Sequence, residues 1–251
     1  MVAGTAPLRA VLFDVDDTLV DHERAQRAGL DAALAAEGVL ADEAAHLRWR
    51  TLVDSTFARY LAGELSFVEQ RRVRVRAMTG RDLSDAEADA WVARNVAGFE
   101  VGLTLFEDVV PALDVLAGMP GVRLGAFSNV DGDFTRRKLA VVGILDRFDV
   151  VLGTSDVAAP KPAPDPFWAM CRALGVPPGR ALHVGDRWQV DAFAAAEAGL
   201  LGVWLDRPGA DPRGRAPEPA TARPGRQDRQ DGVRVIASLA ELPALLRGAS
   251  L

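Results

Sequence analysis

Short apolar runs recur along the chain, and each is bounded by Gly, Asp or Ser. Such runs are typical of buried β-strands, and they predict strands at 8–15, 122–128, 150–154, 181–186, 200–205 and 233–237. Helix-length periodic segments lie between them at 108–117, 135–142, 166–174 and 190–198. Strands that alternate with helices predict βαβ units, and hence an α/β fold with a doubly wound parallel sheet.

Residues 21–100 interrupt this alternation, because they contain no convincing strand and are predicted to form about four helices. Two of the predicted helix starts carry capping boxes, at Ser66-x-x-Glu69 and Ser84-x-x-Glu87. An insert of this length is too long for a simple crossover, so we expect a separate all-helical domain at 21–100. The sheet domain then comprises 1–20 and 101–251, with a flexible surface loop at 207–232, which is rich in Pro, Gly and Arg.

Composition excludes several classes of protein. The 251 residues include 29 basic and 35 acidic side chains, and the net charge of −6 argues against binding to nucleic acid. The one cysteine, Cys171, excludes an intrachain disulfide. No apolar run is long enough for a membrane span, and charges come too early for a signal peptide. We therefore expect a cytoplasmic protein without a membrane partner, and the oligomeric state stays open.

Acidic residues follow the first predicted strand, in the run Asp14-Val-Asp16-Asp-Thr-Leu-Val. Side chains two residues apart on a strand point the same way, so Asp14 and Asp16 can face one site. Converging carboxylates repel each other unless a cation joins them, and oxygen ligands of this kind suit Mg²⁺. The alternative is that the acidic run only caps a turn.

Polar residues also stand at or near the ends of later predicted strands. Ser128 and Asn129 could hold an anion, although such pairs often form turns. Lys161 lies between prolines and is one of only two lysines, with Lys138, among the 29 basic residues. A point charge held in this way suits phosphate, whereas an ordinary loop lysine would be solvated.

The fourth predicted strand ends in Gly185-Asp186, and Asp191 follows five residues later. Asp191 could cap a helix or could supply a further carboxylate to the metal. Taken together, the order and placement of these segments resemble the haloacid dehalogenase-like (HAD) hydrolase superfamily, in the subclass with a helical cap after the first motif. The resemblance covers nearly the whole chain and implies a Rossmann-like core.

The resemblance also implies roles for these residues. Asp14 would attack phosphorus and become an aspartyl phosphate, and Asp16 would act as general acid and then as general base. Phosphoryl oxygens would be held by Ser128, Asn129 and Lys161, and Mg²⁺ by the Asp14 carboxylate, the Asp16 backbone carbonyl and Asp186. Thr18 and Asp191 would support the site. The expected activity is hydrolysis of a small phosphomonoester.

Alternatives remain at this point. A 2-haloacid dehalogenase would lack the acid at position 16, because halide needs no proton. A phosphonatase would need a lysine in the helical cap, and residues 21–100 contain none. A receiver domain has no use for the long insert. A phosphomutase, which uses the same pair of aspartates, stays open, as does a degenerate family member that only binds its ligand.

Several other residues carry weaker expectations. Arg187 and Trp188 could touch substrate at the rim of the site. Arg72 and Arg76 are four residues apart on one helix face and could bind a remote substrate anion, although a solvated face is the common alternative. The remaining tryptophans and Cys171 are expected in the core. We expect no partner for His22 or for His183, with His183 buried in the fourth strand.

Overall fold

The structure is a computed structural model that describes residues 7–208 and 233–248. The chain folds as two compact units, one of Met1–Val20 and Leu105–Leu251 and the other of Asp21–Thr104. The second unit extends beyond the predicted limit at residue 100, because its last helix continues to Gly102. Apart from Arg207 and Pro208, the predicted loop at 207–232 lies outside the described residues.

The first unit contains a six-stranded parallel sheet. Its strands are β1 (Ala10–Phe13), β2 (Arg123–Phe127), β3 (Val150–Leu152), β4 (Ala181–Gly185), β5 (Leu201–Leu205) and β6 (Val233–Ile236). They are ordered β3-β2-β1-β4-β5-β6, which confirms the predicted α/β fold with a doubly wound parallel sheet. Every residue of β1 and β4 is buried, as expected of central strands that are covered on both faces.

The order of the strands reverses between β1 and β4. Phe13, the last residue of β1, pairs with Ala126 of β2 and with Val184 of β4. The residues that follow these three strands therefore lie at the same edge of the sheet. In open α/β sheets this edge, at the point where the order reverses, is where ligands bind.

Helices of this unit lie between its strands in the chain, and one more follows the last strand. They are α5 (Val109–Ala117), α6 (Gly132–Val141), α7 (Asp165–Leu174), α8 (Ala194–Glu197) and α9 (Leu242–Leu246). The predicted helix at 190–198 is replaced by a π-helix, Trp188–Phe193, that continues into the short α8. π-Helical turns are rare and are frequently found at functional sites.

One face of α7 builds much of the core. Phe167, Met170, Cys171 and Leu174 recur at helical spacing and are all buried against side chains of the sheet. Burial of each such large apolar side chain contributes about 1.5–3 kcal/mol. Cys171 is therefore a core residue, as predicted, and burial raises the pKa of its thiol to about 11.

The second unit consists of four helices, α1 (His22–Ala35), α2 (Glu43–Leu61), α3 (Phe67–Thr79) and α4 (Asp85–Gly102). Both predicted capping boxes are present at the starts of α3 and α4. Trp49 and Trp91 pack in its core with their ring centroids 5.4 Å apart. No helix in the described part of the chain has the length and apolar character that crossing a bilayer requires.

Small residues allow α1 and α4 to pack closely. A Cβ on Gly98 would lie 2.4 Å from the Cβ of Ala32, and one on Gly102 would lie 2.5 Å from the Cβ of Ala28. Real Cβ atoms do not approach this closely, so larger residues at either glycine would push the two helices apart.

Arg72 and Arg76 form ion pairs within the helical unit, and their binding of a substrate anion stays a prediction. Arg72 pairs with Asp85 and with Asp89, and Arg76 pairs with Asp85 and donates to the Leu83 carbonyl. Each guanidinium is thus engaged by α4 or by the turn before it. The sequence periodicity placed both arginines on one face of α3 but did not reveal that acidic residues of the next helix meet them.

His22 also has a partner, contrary to expectation. Its Nε2 lies 3.1 Å from Nε2 of Gln26, one turn further along α1. The Gln26 oxygen in turn accepts a hydrogen bond from Trp49 Nε1 at 3.0 Å. The side chain of Gln26 therefore links α1 to α2 inside the helical unit.

Candidate active site

Asp14 lies directly beyond β1, at the edge of the sheet where the strand order reverses. Its N–H donates to the Val184 carbonyl at 2.9 Å, which anchors it beside β4. The residue is only 7% exposed, and its Oδ1 accepts a hydrogen bond from Lys161 Nζ at 2.7 Å. The structure thus brings together two predicted site residues that are distant in the sequence.

Lys161 occupies a buried position between two carboxylates. Its Nζ contacts Asp14 Oδ1 and also Asp191 Oδ1, at 2.6 Å, and its side chain is 1% exposed. Burial acts to lower the pKa of Lys161, but Asp14 and Asp191 outweigh that effect and the net shift is upward. Lys161 is therefore a fixed positive charge at the bottom of the site.

Asn129 holds the backbone of the Lys161 loop. Its Nδ2 donates to the Lys161 carbonyl and its Oδ1 accepts from the Lys161 N–H, both at 2.8 Å. This pair of bonds fixes the loop relative to the end of β2. Asn129 therefore positions Lys161 in this structure, and a contact of Asn129 with phosphoryl oxygens stays a prediction.

Asp191 reaches the site from the π-helix rather than from a helix start. Its Oδ2 accepts a hydrogen bond from the Arg187 N–H at 3.1 Å, and its Oδ1 lies 3.3 Å from Nε2 of His183. A Cβ on Gly185 would come within 2.4 Å of Asp191 Cγ, so only glycine at the end of β4 allows this approach. The expectation that His183 lacks a partner is wrong, although His183 is buried in β4 as predicted.

Burial and the neighbouring charges explain the pKa shifts of Asp191 and His183. Burial alone would raise the pKa of Asp191, but Lys161 and His183 outweigh that effect and lower it. Burial lowers the pKa of His183. Asp191 is therefore held as a carboxylate, and its two oxygens are occupied by the protein itself.

Three carboxylates converge at this edge of the sheet. Asp14, Asp186 and Asp191 each place one oxygen within 4.8 Å of the other two. Burial raises the pKa of Asp14 to about 7, with further contributions from Asp191 and Asp16, although Lys161 opposes the shift. Burial, followed by Asp14 and Asp191, raises the pKa of Asp186 well above its usual range. The site therefore carries more negative charge than its own cations balance.

This imbalance fits a divalent cation. Asp14, Asp16, Asp186 and Asp191 place four carboxylates at the site, whereas the ammonium groups that contact them are those of Lys138 and Lys161. The Asp186 carboxylate accepts no hydrogen bond within 7–208 and 233–248, which leaves its oxygens free to bind a metal. Oxygen ligands of this kind suit Mg²⁺.

Thr18 supports the site from the turn after β1. Its side chain is fully buried, and its Oγ1 accepts a hydrogen bond from the Asp186 N–H at 3.1 Å. Asp17, just before it, has a φ of 59°, a conformation that aspartate tolerates better than most residues do. This turn brings the segment after β1 against the end of β4.

Asp16 is bound differently from Asp14, because its side chain turns toward α6. Lys138 Nζ lies 2.5 Å and 2.6 Å from its two carboxylate oxygens, and Ser128 Oγ donates to Oδ2 at 2.9 Å. The Asp16 side chain is not part of the three-carboxylate cluster. The contact of its backbone carbonyl with a metal stays a prediction, as does a contact of Ser128 with phosphoryl oxygens.

Lys138 is the site residue that sequence reasoning missed. Its side chain is 1% exposed although it carries an ammonium. The available signal was its rarity, since Lys138 and Lys161 are the only lysines in the chain, and both prove to contact an aspartate of the first motif. The periodicity of α6 could not show which of its faces meets Asp16.

Trp188 does not lie at the rim of the site, contrary to expectation. It is 4% exposed and packs edge-on against Trp204, with ring centroids 5.6 Å apart. Trp204 Nε1 donates to the Asp186 carbonyl at 2.9 Å. The two tryptophans therefore stabilise the loop that carries Asp186. The side chain of Arg187, in contrast, is exposed.

The arrangement has the parts that nucleophilic displacement on an anionic substrate requires. Asp14 offers a carboxylate oxygen that Lys161 does not hold, Asp16 is a second carboxyl group for proton transfer, and Lys161 is a fixed cation.

Comparisons with known proteins agree with this arrangement. The family model described as haloacid dehalogenase-like hydrolase matches residues 8–199. Phosphoglycolate phosphatase of Escherichia coli O157:H7 is 31% identical over 209 residues, which cover 79% of this chain and 81% of the relative. N-acylneuraminate-9-phosphatase of Homo sapiens is 27% identical, with 97% of this chain and 96% of the relative covered.

A solved structure shares the fold. The HAD-hydrolase YfnB from Bacillus subtilis, bound to magnesium, has a TM-score of 0.72 at 19% identity, and the match covers 96% of this chain and 99% of YfnB. The family model accounts for most of the chain, including every candidate site residue from Asp14 to Asp191. This chain therefore belongs to the haloacid dehalogenase-like hydrolase family.

Proposed function

We propose that the protein is a Mg²⁺-dependent phosphatase that hydrolyses a small phosphomonoester through an aspartyl phosphate on Asp14. The observation that carries the proposal is the pairing of two differently bound aspartates after β1. Asp14 lies against Lys161, and Asp16 lies against Lys138 and Ser128. A nucleophile and a separate proton-transfer group are what cleavage of a phosphate ester to an alcohol needs.

The residues present suit the metal that the family uses. We infer that Asp14 and Asp186 bind Mg²⁺ directly, with the Asp16 backbone carbonyl, because their carboxylate oxygens are the ones that the protein leaves least engaged. Asp191 would not bind the metal directly, because its oxygens already accept hydrogen bonds from Lys161 and from the Arg187 N–H. When bound, Mg²⁺ would neutralise carboxylate charge and allow a phosphate dianion to approach.

Two displacements then complete the reaction. The free oxygen of Asp14 attacks phosphorus, the bond from phosphorus to the ester oxygen breaks, and Asp16 gives its proton to the departing alcohol. Water next attacks the aspartyl phosphate, Asp16 takes a proton from that water, and inorganic phosphate departs as the Asp14 carboxylate is restored. Lys161 offsets the charge that builds on the phosphoryl oxygens in both steps.

The relatives support the substrate class. The two curated relatives bear the names phosphoglycolate phosphatase and N-acylneuraminate-9-phosphatase, and both names denote the hydrolysis of a small phosphate monoester. An acid at position 16 favours an alcohol leaving group over halide, which needs no proton. We therefore place the substrate among small anionic phosphomonoesters and favour hydrolysis over dehalogenation.

Phosphate release tests the proposal. The purified protein would be assayed against sugar phosphates, phosphorylated small acids, nucleoside monophosphates and p-nitrophenyl phosphate, with Mg²⁺ and with excess chelator. Asp14→Asn serves as the inactive variant and Asp146→Asn, an exposed residue after α6, as the matched control. We expect Mg²⁺-dependent release by wild type and by the control only. Activity that survives in chelator or in Asp14→Asn would overturn the proposal.

A further inference from the structure

Lys138 and Asp16 form an ion pair in which the lysine is buried. Lys138 projects from α6, and its Nζ contacts both oxygens of one carboxylate, at 2.5 Å and 2.6 Å. Its side chain is 1% exposed, whereas that of Asp16 is 20% exposed. The Lys138 side chain is therefore buried, whereas part of the Asp16 side chain is exposed.

A purely structural explanation accounts poorly for this lysine. Burial of an ammonium is costly, and an apolar residue at the same position would pack against the sheet without that cost. The other basic residues of α6 are arginines, and one of them, Arg136, pairs with Asp133 and Asp156 at the surface. The hydrogen bonds of the buried Lys138 ammonium go to the Asp16 carboxylate.

The contacts also fix the orientation of Asp16. A carboxylate bound at one oxygen can still rotate, but here the ammonium spans both oxygens and Ser128 Oγ donates to Oδ2 at 2.9 Å. Two donors from two different elements, α6 and the end of β2, therefore define one orientation. Proton transfer is sensitive to such placement, because donor and acceptor must come within hydrogen-bond reach.

We propose that Lys138 is a positioning residue, which acts through Asp16 by holding the Asp16 carboxylate in the orientation that proton transfer requires. The proposal rests on the proposed phosphatase function, because it assigns Asp16 the proton-transfer role. Lys138 itself does not touch the substrate or the reacting atoms. Its effect on turnover must therefore disappear when Asp16 can no longer transfer a proton.

A double-mutant cycle tests this dependence. Turnover of p-nitrophenyl phosphate with Mg²⁺ would be measured for wild type, Lys138→Met, Asp16→Asn and the double variant. This substrate has a good leaving group, which keeps the slower variants measurable. We expect Lys138→Met to lower kcat roughly tenfold with KM changed less than about twofold, and to change kcat less than about twofold when Asp16 is already Asn.

Arg136→Gln is the matched control. It removes ion pairs from the same helix without touching Asp16, so its effect on kcat should be small and equal in both backgrounds. Lys138→Gln, which keeps a polar side chain, replaces Lys138→Met if melting curves show that the methionine variant does not fold. The double variant, in which both partners are neutral, avoids an unpaired buried charge.

The outcomes are distinct. The proposal is supported if Lys138→Met lowers kcat by a factor that is more than about threefold larger in wild type than in the Asp16→Asn background. Equal effects in the two backgrounds, or no effect beside Asp16, would overturn it while wild-type phosphate release left the proposed function intact. Absence of Mg²⁺-dependent phosphate release by wild type on every substrate would overturn the proposed function, and the role of Lys138 would fall with it.

Discussion

Asp191 Oδ1 accepts a hydrogen bond from Lys161 Nζ at 2.6 Å, although thirty positions separate the two residues in the chain. Both side chains are 1% exposed. Lys161 also contacts Asp14 at 2.7 Å, so Asp191 restrains the cation that lies against the proposed nucleophile. The π-helix, which carries none of the proposed reacting atoms, thus helps to hold that cation in place.

Replacement of Asp191 by Asn should therefore impair turnover without removing the nucleophile. The amide can still accept a hydrogen bond, but it lacks the charge that holds Lys161, so we expect kcat to fall roughly tenfold to a hundredfold. Assays of phosphate release under saturating Mg²⁺ would give kcat for wild type and for Asp191→Asn. Glu197→Gln, at an exposed position of the adjacent α8, should be unaffected, and wild-type kcat in Asp191→Asn would contradict this role.

Gly185→Ala tests the close approach of β4 to the π-helix. The new Cβ would lie 2.4 Å from Asp191 Cγ, so either the strand or the π-helix must shift. We expect a loss of about 1–3 kcal/mol in the free energy of unfolding together with reduced turnover. Gly179→Ala is the matched control, because a Cβ there meets nothing within 4 Å. Equal melting temperatures for the two variants would refute the packing argument.

Metal binding should change the stability of the sheet unit in a way that depends on Asp186. Burial raises the pKa of Asp186 well above its usual range, so its ionised form destabilises the metal-free fold near neutral pH. Asp186→Asn should therefore raise the melting temperature in chelator and reduce the increase that Mg²⁺ produces in wild type. Differential scanning fluorimetry with and without Mg²⁺ would measure both effects.

The control for that experiment is Asp146→Asn, which removes an exposed carboxylate after α6. Its melting temperature should equal that of wild type both in chelator and in Mg²⁺. If Asp186→Asn melts below wild type in chelator, the negative charge of Asp186 does not destabilise the metal-free fold, and the prediction is wrong.

A second ion pair predicts a pH dependence outside the active site. Burial acts to raise the pKa of Asp108, but hydrogen bonds from Arg207, Ser238 and the Leu239 N–H outweigh it and lower that pKa. A lowered folded-state pKa gives stability that is present above the ordinary pKa of aspartate, near 3.9, and is lost as pH falls through the folded-state value.

Asp108→Asn should therefore cost about 1–3 kcal/mol near pH 7, because the charged hydrogen bonds to Arg207 are lost. The difference from wild type should shrink as pH falls below the ordinary pKa of aspartate, near 3.9, and should be lost as pH falls through the lower folded-state pKa of Asp108. Thermal unfolding of both proteins at several pH values would check this. A difference that stays constant down to acid pH would mean that charge is not the cause.

Some features of the site followed from local sequence because strand ends are local. Asp14, Ser128 and Asp186 each come at or just after the end of an apolar run, and parallel strands in a sheet end at one edge. Placing those residues together therefore needed only the positions of the strands. The capping boxes at Ser66 and Ser84 were equally predictable, because all of their hydrogen bonds lie within four consecutive residues.

Contacts between side chains of different elements depended on the tertiary structure. The sequence by itself determined that the chain alternates strands with helices, that a helical segment interrupts it, and which residue types follow the strands. It could not determine that Lys138 meets Asp16, that His183 meets Asp191, or that Arg72 meets Asp89. Those pairs depend on the rotation of each helix about its axis and on packing between distant segments, and periodicity within one segment carries no information about either.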